Sequence, residues 1–249
     1  MAIEFGIRAW AASAPALHTP AAWQAWSRAP WLPDGTDLPA LTAMAPMLRR
    51  RVNAIGRAAL HPAYDVKPAD TTIQSPAVFA SRHGDTRRAF EMLSELAAGE
   101  PLSPTAFGLS VHNAIGAMFT IDRGDASNLQ AVAAGPDTVE TAVIEACALL
   151  GDGAEEVLLV CYDAPLPEAY AEFADEPGCL FGWAWRMARP RAGEPVWQLD
   201  IAAPRSASDP GTAHPILPHG LDVLRFMLTD EAELIHRGER AIWRWQRHG

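Results

Sequence analysis

The sequence has few cysteines and no long apolar runs. Its three cysteines, Cys147, Cys161 and Cys179, are an odd number without metal-ligand spacing, so they predict neither a disulfide framework nor a metal site. No stretch reaches the roughly 20 consecutive apolar residues of a membrane span. The first residues also lack the basic start and apolar core of a signal peptide. We therefore expect a cytoplasmic protein without a membrane span.

Excess positive charge is also missing. The formal net charge is -10, which argues against general binding to nucleic acid or to anionic membranes, because both need clustered Lys and Arg. The one short basic run is Arg49, Arg50 and Arg51. With 49% apolar and 20% charged residues, the composition is typical of a globular protein. A chain of 249 residues can bury a large core, and we expect one domain over residues 1–249.

Hydrophobic periodicity predicts alternating strands and helices, and hence an α/β layered fold. The predicted strands cover residues 2–12, 75–81, 129–133, 155–162, 179–187 and 196–201, with a last strand or tail at 241–248. The predicted helices cover residues 47–60, 85–99, 103–119, 136–150 and 220–237. We place 155–162 at the centre of the sheet, and 179–187 and 196–201 in antiparallel pairing at its edge.

Residues 103–135 are the segment around which the other elements are arranged. Ser103 and Pro104 suit the start of a helix. Its apolar residues recur every three to four positions, at Phe107, Val111, Ile115, Met118 and Phe119. Its central polar residues are His112 and Asn113, which we expect to form hydrogen bonds across a packing surface. A turn at 122–125, a short strand and the helix-opening Gly135 follow.

Four stretches together resemble the β-ketoacyl synthases: SPAVFASRHGD, LSPTAFGLSVHNAIGAMF, AVAAGPDTVETAVIEACALL and EEVLLVCYDAPLPE. The combination is most similar to the short chain length factors found with aryl polyene, xanthomonadin-type pigment and dialkylresorcinol gene clusters. The resemblance covers about residues 1–190. It implies the N-terminal half of a thiolase-like fold, a layered mixed β-sheet with helices that lacks the second half. Residues 191–249 would then add a strand, a loop and a C-terminal helix.

The resemblance also implies a catalytically inactive protein. Active ketosynthases carry a run of the type Thr-Ala-Cys-Ser-Ser-Gly, whereas this chain reads Gln-Ala-Val-Ala-Ala-Gly at 130–135. Val132 stands where the nucleophilic cysteine would be, and a valine side chain can neither form a thioester nor transfer a proton. The second half of the fold, which carries the catalytic histidines, is missing. We therefore assign no catalytic role to His214 or His219.

By the same resemblance, the chain pairs with an active β-ketoacyl synthase and shapes its acyl tunnel during polyene, polyketide or fatty-acid-like elongation. The strand 129–133 resembles the one that pairs antiparallel across the ketosynthase dimer. The expected tunnel and interface residues are Phe107, Val111, His112, Asn113, Ile115, Met118, Phe119, Leu129, Gln130, Ala131 and Val132. For Phe107, Val111, Ile115 and Met118, packing in the domain's own core is the alternative.

Further partners follow from the resemblance. An acyl carrier protein would take part indirectly, with Arg49, Arg50 and Arg51 as a weak candidate docking site. Its phosphopantetheine would be the only cofactor, so we expect no cofactor or metal of this chain's own. A homodimer remains possible when the chain is made alone.

Two other functions stay open. The first is a small serine hydrolase or acyltransferase that uses Ser81 or Ser110 with His83 or His112. Neither serine lies in a G-x-S-x-G elbow, which weakens this hypothesis. The second is a self-associating scaffold that never binds a ketosynthase.

Overall fold

The computed structural model describes residues 2–66, 75–202, 216–239 and 241–249. Within these ranges the strands are β1 (Ala2–Ser13), β2 (Ala77–Ala80), β3 (Leu129–Val132), β4 (Glu156–Asp163), β5 (Phe181–Ala188), β6 (Val196–Ala202), β7 (Glu233–Arg237) and β8 (Ile242–His248). The helices are α1 (Pro20–Arg28), α2 (Pro46–Arg49), α3 (Ala54–Val66), α4 (Thr86–Ala97), α5 (Pro104–Gly108), α6 (Ala114–Arg123), α7 (Thr138–Gly151) and α8 (His219–Leu228). Two 3-10 helices cover Gly135–Asp137 and Glu168–Phe173.

The strands of the described residues form one mixed sheet in the order β3-β2-β4-β5-β1-β6-β8-β7. Strand β2 pairs parallel with both β3 and β4, and the remaining pairs are antiparallel. Strand β4 is central and almost wholly buried, as predicted, because its apolar run can face a core on either side of the sheet. Strands β3 and β7 lie at the two ends of the sheet.

Each face of the sheet is covered by helices. The alternation of Leu158 and Leu159 along β4 sends one side chain to each of two apolar cores. Helices α3 and α6 cover one face, and α1, α7 and α8 cover the other. No helix of the described residues is long and apolar enough to span a membrane. The predicted mixed sheet with helices is confirmed, and so are the strands predicted at 2–12, 75–81, 129–133 and 155–162.

The helix predicted at 47–60 is wrong as one element. The chain forms the single turn α2, leaves the helical path, and starts again at α3. Asn53 stands at the break, and its Oδ1 atom accepts a hydrogen bond from the backbone N–H of Gly56 at 3.2 Å. A side chain that caps a new helix competes with continuation of the old one, which explains the break. The apolar spacing continues across the break, so the sequence pattern does not reveal it.

The helix predicted at 103–119 is likewise two helices, α5 and α6. The cap at Ser103 is confirmed, since its hydroxyl accepts from the N–H of Ala106. The break follows Gly108, where the Ser110 hydroxyl donates to the Phe107 carbonyl at 2.8 Å. The His112 ring then bonds the carbonyl of Ser81 at 2.9 Å. This tertiary contact fixes the segment between the helices outside helical geometry.

The largest difference lies at the C-terminal end. The predicted helix 220–237 ends at Leu228 in α8, and β7 follows it. Residues 233–237 alternate between exposed and half-buried positions, which is a period of two and therefore a strand. The strands predicted at 179–187 and 196–201 are present as β5 and β6, but they lie in the interior of the sheet because β1 pairs with both. The described part of residues 191–249 thus contributes three strands and a helix.

Candidate functional site

A buried carboxylate joins the carboxyl ends of the parallel strands β2 and β4. Asp163, the last residue of β4, accepts a hydrogen bond from the Ser81 hydroxyl at 2.7 Å and from the Arg82 N–H at 3.1 Å. The His83 N–H lies 3.4 Å from the same carboxylate. Burial raises the pKa of Asp163 to about 6 in spite of these donors. The group ties the ends of two strands together, which gives it a structural role.

This arrangement argues against the hydrolase hypothesis. The Ser81 hydroxyl is fully buried, donates to Asp163, and accepts from the Gly84 N–H at 2.8 Å. Both of its hydrogen-bonding functions are therefore used, and neither His83 nor His112 accepts its proton. Ser110, which follows α5, donates to the Phe107 carbonyl. Because a serine nucleophile needs a base that accepts its proton, these serines lack the required geometry.

A second buried cluster is centred on Glu140 of α7. Its Oε1 atom lies 2.6 Å from His219 Nε2 of α8 and accepts from the indole N–H of Trp245 at 2.8 Å. The rings of His219 and His236 stack with centroids 3.4 Å apart. His236 Nε2 bonds the carbonyl of Pro136 at 2.9 Å. The Glu140 carboxylate thus connects α7 with α8 and β8. His236 of β7 joins the same cluster through its stacking on His219.

The ionisation states in this cluster follow from its geometry. Burial opposes a charge on either partner, but the charge and hydrogen bond of His219 hold the pKa of Glu140 below its ordinary value. The charge of Glu140 raises the pKa of His219 in the same way. Burial, together with the charge of His219, lowers the pKa of His236. The cluster is therefore an ion pair of Glu140 and His219 with a neutral imidazole stacked on it.

Glu140, His219 and His236 are also the one group of potential metal ligands found among the described residues. Their ligand atoms lie within 4.8 Å of one another. However, the two imidazole planes are only 14° from parallel and directly stacked. Ring-nitrogen lone pairs lie in the plane of each ring, so two stacked rings cannot both direct them at a common ion. The cluster fits an ion pair better than a metal site.

The sequence pattern did not predict this cluster, and no catalytic role was assigned to His219. The available signal was a helix with only two charged residues, Glu140 and Glu145, because an acid that becomes buried needs a partner. The identity of that partner depended on how α8 packs. His214, considered together with His219, lies outside the described residues.

The resemblance predicts the position of the family's nucleophile at the end of β3, and residues 132–137 include no cysteine, serine or histidine. Val132 is half-buried and packs against the core, and the Ala134 N–H donates to the Thr138 hydroxyl. Gly135 has a φ of 56°, a left-handed conformation that glycine adopts without strain. The three cysteines lie elsewhere, and burial raises the pKa of each thiol. A thiol with a raised pKa is a poor nucleophile near neutral pH.

Strand β3 exposes an unpaired edge within the described part of the chain. The carbonyls of Asn128 and Val132 accept from Ala77 and Ser81 on the β2 side. Because backbone groups alternate in direction along a strand, those of Leu129 and Ala131 point away from β2. The strand carries no charge, and Gln130 and Ala131 are exposed. An uncharged free edge can accept a strand from another chain.

Exposed apolar side chains occur on the helices between β2 and β3. Phe107 of α5 is 61% exposed, and Leu93 and Leu96 of the neighbouring α4 are 55% and 56% exposed. Val111 follows α5 and is 47% exposed. Scattered exposed apolar residues are common, but several on adjoining helices form a surface of the kind that partner proteins cover. We call Leu93, Leu96, Phe107 and Val111 the apolar surface.

The predicted interface residues divide into exposed and buried groups. Ile115, Met118 and Phe119 lie in the core under the sheet, where Phe119 packs on Phe79 with ring centroids 5.9 Å apart. A role for them in a tunnel wall stays a prediction. His112 is half-buried and hydrogen-bonded, as expected, whereas Asn113 is exposed and its side chain does not cap α6, contrary to expectation.

The arginine run does not form the charged face of a long helix. Arg49 ends α2, and its guanidinium lies 3.4 Å from the carbonyl of Leu41. Arg50 and Arg51 are exposed in the turn that follows. Their role in docking a carrier protein stays a prediction.

The mixed sheet with helices on both faces, and the strand–turn–helix at β3 and α7, agree with the ketosynthase-like half-fold that the sequence resemblance implies. The family model described as "Beta-ketoacyl synthase, N-terminal domain" matches residues 23–246, about nine-tenths of the chain. The chain therefore belongs to the β-ketoacyl synthase N-terminal domain family, and the resemblance noted in the sequence is confirmed. A search of the curated proteins found no match.

The chain is also similar to solved structures. A chain from the complex of a ketosynthase (ApeO) with its chain length factor (ApeC) from Xenorhabdus doucetiae is 26% identical, with a TM-score of 0.82. That match covers 98% of this chain and 100% of the other, so the two are of about equal length. The ishigamide ketosynthase/chain length factor is 16% identical, with a TM-score of 0.62 over 80% of this chain and 67% of that one.

A type II acyl carrier protein in complex with its ketosynthase (AntDE:AntF) is 11% identical, with a TM-score of 0.58 over 81% of this chain and 70% of the other. At these low identities the ishigamide and AntDE:AntF structures show a shared fold alone.

Proposed function

We propose that this chain is the noncatalytic chain length factor of a β-ketoacyl synthase heterodimer. The observations that carry the proposal are the uncharged edge of β3, which is unpaired among the described residues, and the exposed apolar surface. Such an edge is poorly protected in isolation, and a permanent partner would cover it. The full-length match to a chain of a ketosynthase–chain length factor complex supports the same assignment.

The absence of a nucleophile at the turn supports a noncatalytic role. Val132 takes the position that we infer for the family's cysteine, and the three thiols of the chain have raised pKa values. In the proposed heterodimer the ketosynthase supplies the nucleophile and the catalytic histidines. An acyl carrier protein delivers the growing chain on its phosphopantetheine arm, with Arg50 and Arg51 as a candidate contact.

The exposed residues of the apolar surface are the best candidates for setting product length. Phe107 and Val111 can contact a partner directly, whereas Ile115 and Met118 would act through the packing beneath them. We expect the smaller side chains of Phe107→Ala and Val111→Ala to lengthen the product, because they would enlarge a tunnel that ends at the interface. Ile201→Ala is the matched control. Ile201 is 51% exposed on β6, five strands from β3, or roughly 24 Å at normal strand spacing.

Co-expression with the ketosynthase encoded nearest to this chain tests the proposal. The expected result is a one-to-one unit by size-exclusion chromatography with light scattering, and condensation that depends on both chains. Replacing the nucleophilic cysteine of the ketosynthase should abolish all activity. Separate elution with unchanged products, or a condensation or hydrolysis activity of this chain alone, would contradict the proposal. A homodimer that ignores the ketosynthase would favour a scaffold role.

A further inference from the structure

Four arginines surround an open cavity where β4 begins. The cavity has a volume of about 620 Å³ and is lined by Arg8 of β1, Arg186 of β5, and Arg189 and Arg191, which follow β5. Strand β4 is eight residues long, so the cavity lies roughly 23 Å from Asp163 at the other end of the strand. It is therefore separate from the buried carboxylate described above.

A β-bulge places Arg8 beside this cavity. The register between β1 and β5 shifts at Arg8, which has no partner residue on β5. Such a bulge changes the direction of a side chain relative to its neighbours on the strand. The Arg8 side chain is only 8% exposed and pairs with Glu194. Its guanidinium also donates to the Arg189 carbonyl at 2.6 Å, which fixes the start of the Arg189–Arg191 segment.

The guanidinium of Arg186 is paired only in part. Its Nε atom lies 3.3 Å from a Glu156 oxygen, which is an ion pair. That contact is not a hydrogen bond, and Nε is buried without a hydrogen-bond partner in the part of the chain that the structure describes. Unsatisfied buried donors are uncommon, and a bound water molecule or ion is one of their explanations. Arg186 thus keeps donors for a further acceptor.

The other two arginines have no carboxylate partner among the described residues. Arg189 donates to a backbone carbonyl of α7, which leaves its charge unneutralised. Arg191 is exposed, and its guanidinium forms no hydrogen bond or ion pair within the described ranges. The carboxylates at the cavity are those of Glu155, Glu156 and Glu194. Four arginines against three carboxylates leave an excess of positive charge, although the formal net charge of the whole chain is -10.

The arginines are also close enough to affect one another. Burial, together with the charges of Arg191 and Arg186, lowers the pKa of Arg8. An anion in the cavity would offset this repulsion. Guanidinium groups bind phosphate oxygens through paired, charge-assisted hydrogen bonds, which makes arginine well suited to such a ligand.

We propose that this cavity binds a phosphate dianion, either as free phosphate or as the phosphate group of a small monoester. Arg186, Arg189 and Arg191 donate to its oxygens, and the buried Arg8 adds positive charge behind them. A dianion matches this group better than a carboxylate does, because several arginines can each bind a different oxygen. The site lies within one chain, so the proposal does not depend on a ketosynthase.

Isothermal titration calorimetry of the full chain at pH 8 and constant ionic strength tests the proposal. Sodium phosphate should bind at one saturable site per chain, with a dissociation constant at or below about 1 mM. Sodium sulfate should compete, whereas sodium chloride of equal ionic strength should not. Glycerol 3-phosphate and adenosine 5′-monophosphate separate the two sources of phosphate. Binding of either ester shows a site open to monoesters, and binding of inorganic phosphate alone shows a site for the free ion.

Variants at exposed positions locate the site without disturbing the core. Arg191→Gln and Arg189→Gln should each raise the dissociation constant for phosphate about tenfold or more, because each removes a charged donor. Arg191→Lys keeps the charge but loses the planar fork, so its effect should be smaller. Arg28→Gln, the same change at the exposed end of α1, is the control and should stay within about twofold of wild type. Circular dichroism checks that every variant is folded.

Three results would overturn the proposal. The first is the absence of saturable phosphate binding to the wild-type chain. The second is equal affinity in the folded variants Arg191→Gln, Arg189→Gln and Arg28→Gln, which would show that phosphate binds elsewhere. The third is competition by chloride as strong as that by sulfate, because it would indicate general attraction of anions and not a site for a phosphate group.

Discussion

The two end strands of the sheet differ in charge and in what lies behind them. Strand β3 carries no charge, and Leu129 contacts the apolar helix α6 at the closely packed Gly116. Strand β7 carries Glu233 and Arg237 on its exposed face and rests on the polar cluster around His236. An uncharged edge can pair with a strand of another chain, whereas charged side chains on an edge strand oppose such pairing. Of the two ends, β3 is therefore the better candidate for the proposed contact with a ketosynthase.

The first prediction concerns the buried Glu140 carboxylate, which links α7 to the β7 end of the sheet. In Glu140→Ala, His219 and the indole N–H of Trp245 lose their shared acceptor in the core. Removing one partner of a buried ion pair costs about 3–5 kcal/mol of unfolding free energy. Urea denaturation measures the change. The control is Glu145→Ala on the same helix, where we expect less than about 1 kcal/mol. Equal losses in the two variants would contradict the anchoring role of Glu140.

The second prediction concerns the free edge of β3. Ala131→Pro removes a backbone donor that points to the free edge and adds a ring there, without touching the ladder to β2. We expect the dissociation constant for the ketosynthase to rise at least about 100-fold, which is about 2.7 kcal/mol. Ala131→Val keeps the N–H and serves as the control. Surface plasmon resonance measures both, and unchanged binding of the proline variant would exclude strand pairing at β3.

The third prediction separates the surface from the core beneath it. Phe107 is 61% exposed, so Phe107→Ala should change the unfolding free energy by less than about 0.5 kcal/mol. Its affinity for the ketosynthase should nevertheless fall about tenfold, because a buried aromatic side chain contributes strongly to an interface. Phe119→Ala, at a 1% exposed position, should instead destabilise the fold by about 3–5 kcal/mol. Unaltered affinity of Phe107→Ala would remove the apolar surface from the interface.

The smallest expected effect is a pH dependence at the β7 end. Folding raises the pKa of His219 because the Glu140 carboxylate lies beside it. Its contribution to the free energy of unfolding is therefore complete below about pH 6.5, and it is lost as the pH rises through the pKa of His219 in the folded state. Asp163 and Asp222, with pKa values of about 6, are already ionised above pH 7. Thermal unfolding between pH 6.5 and 9 should therefore show a decline in wild type that is weaker in Glu140→Gln. Parallel curves would contradict a charged His219.

Local sequence signals predicted much of the sheet and several helix starts. The buried run of β4 and the Ser103 cap of α5 depend on neighbouring residues, so they could be recognised without tertiary information. The breaks at Asn53 and Ser110 were missed, because apolar spacing continues across them. The β7 strand was missed because Leu234 also fits the helical periodicity of the preceding residues.

The candidate site was predicted only in part. Phe107 and Val111 were chosen for their helical spacing, and the strand 129–133 for its resemblance to a family. The structure shows which of those positions are exposed. By itself the sequence determined the α/β class and the central strand, because these depend on residue type and short-range periodicity. Only the tertiary structure decided that Glu140 pairs with His219 across 79 residues, and that β3 and β7 are the two open ends. Such pairings depend on how distant segments pack, which short-range patterns do not encode.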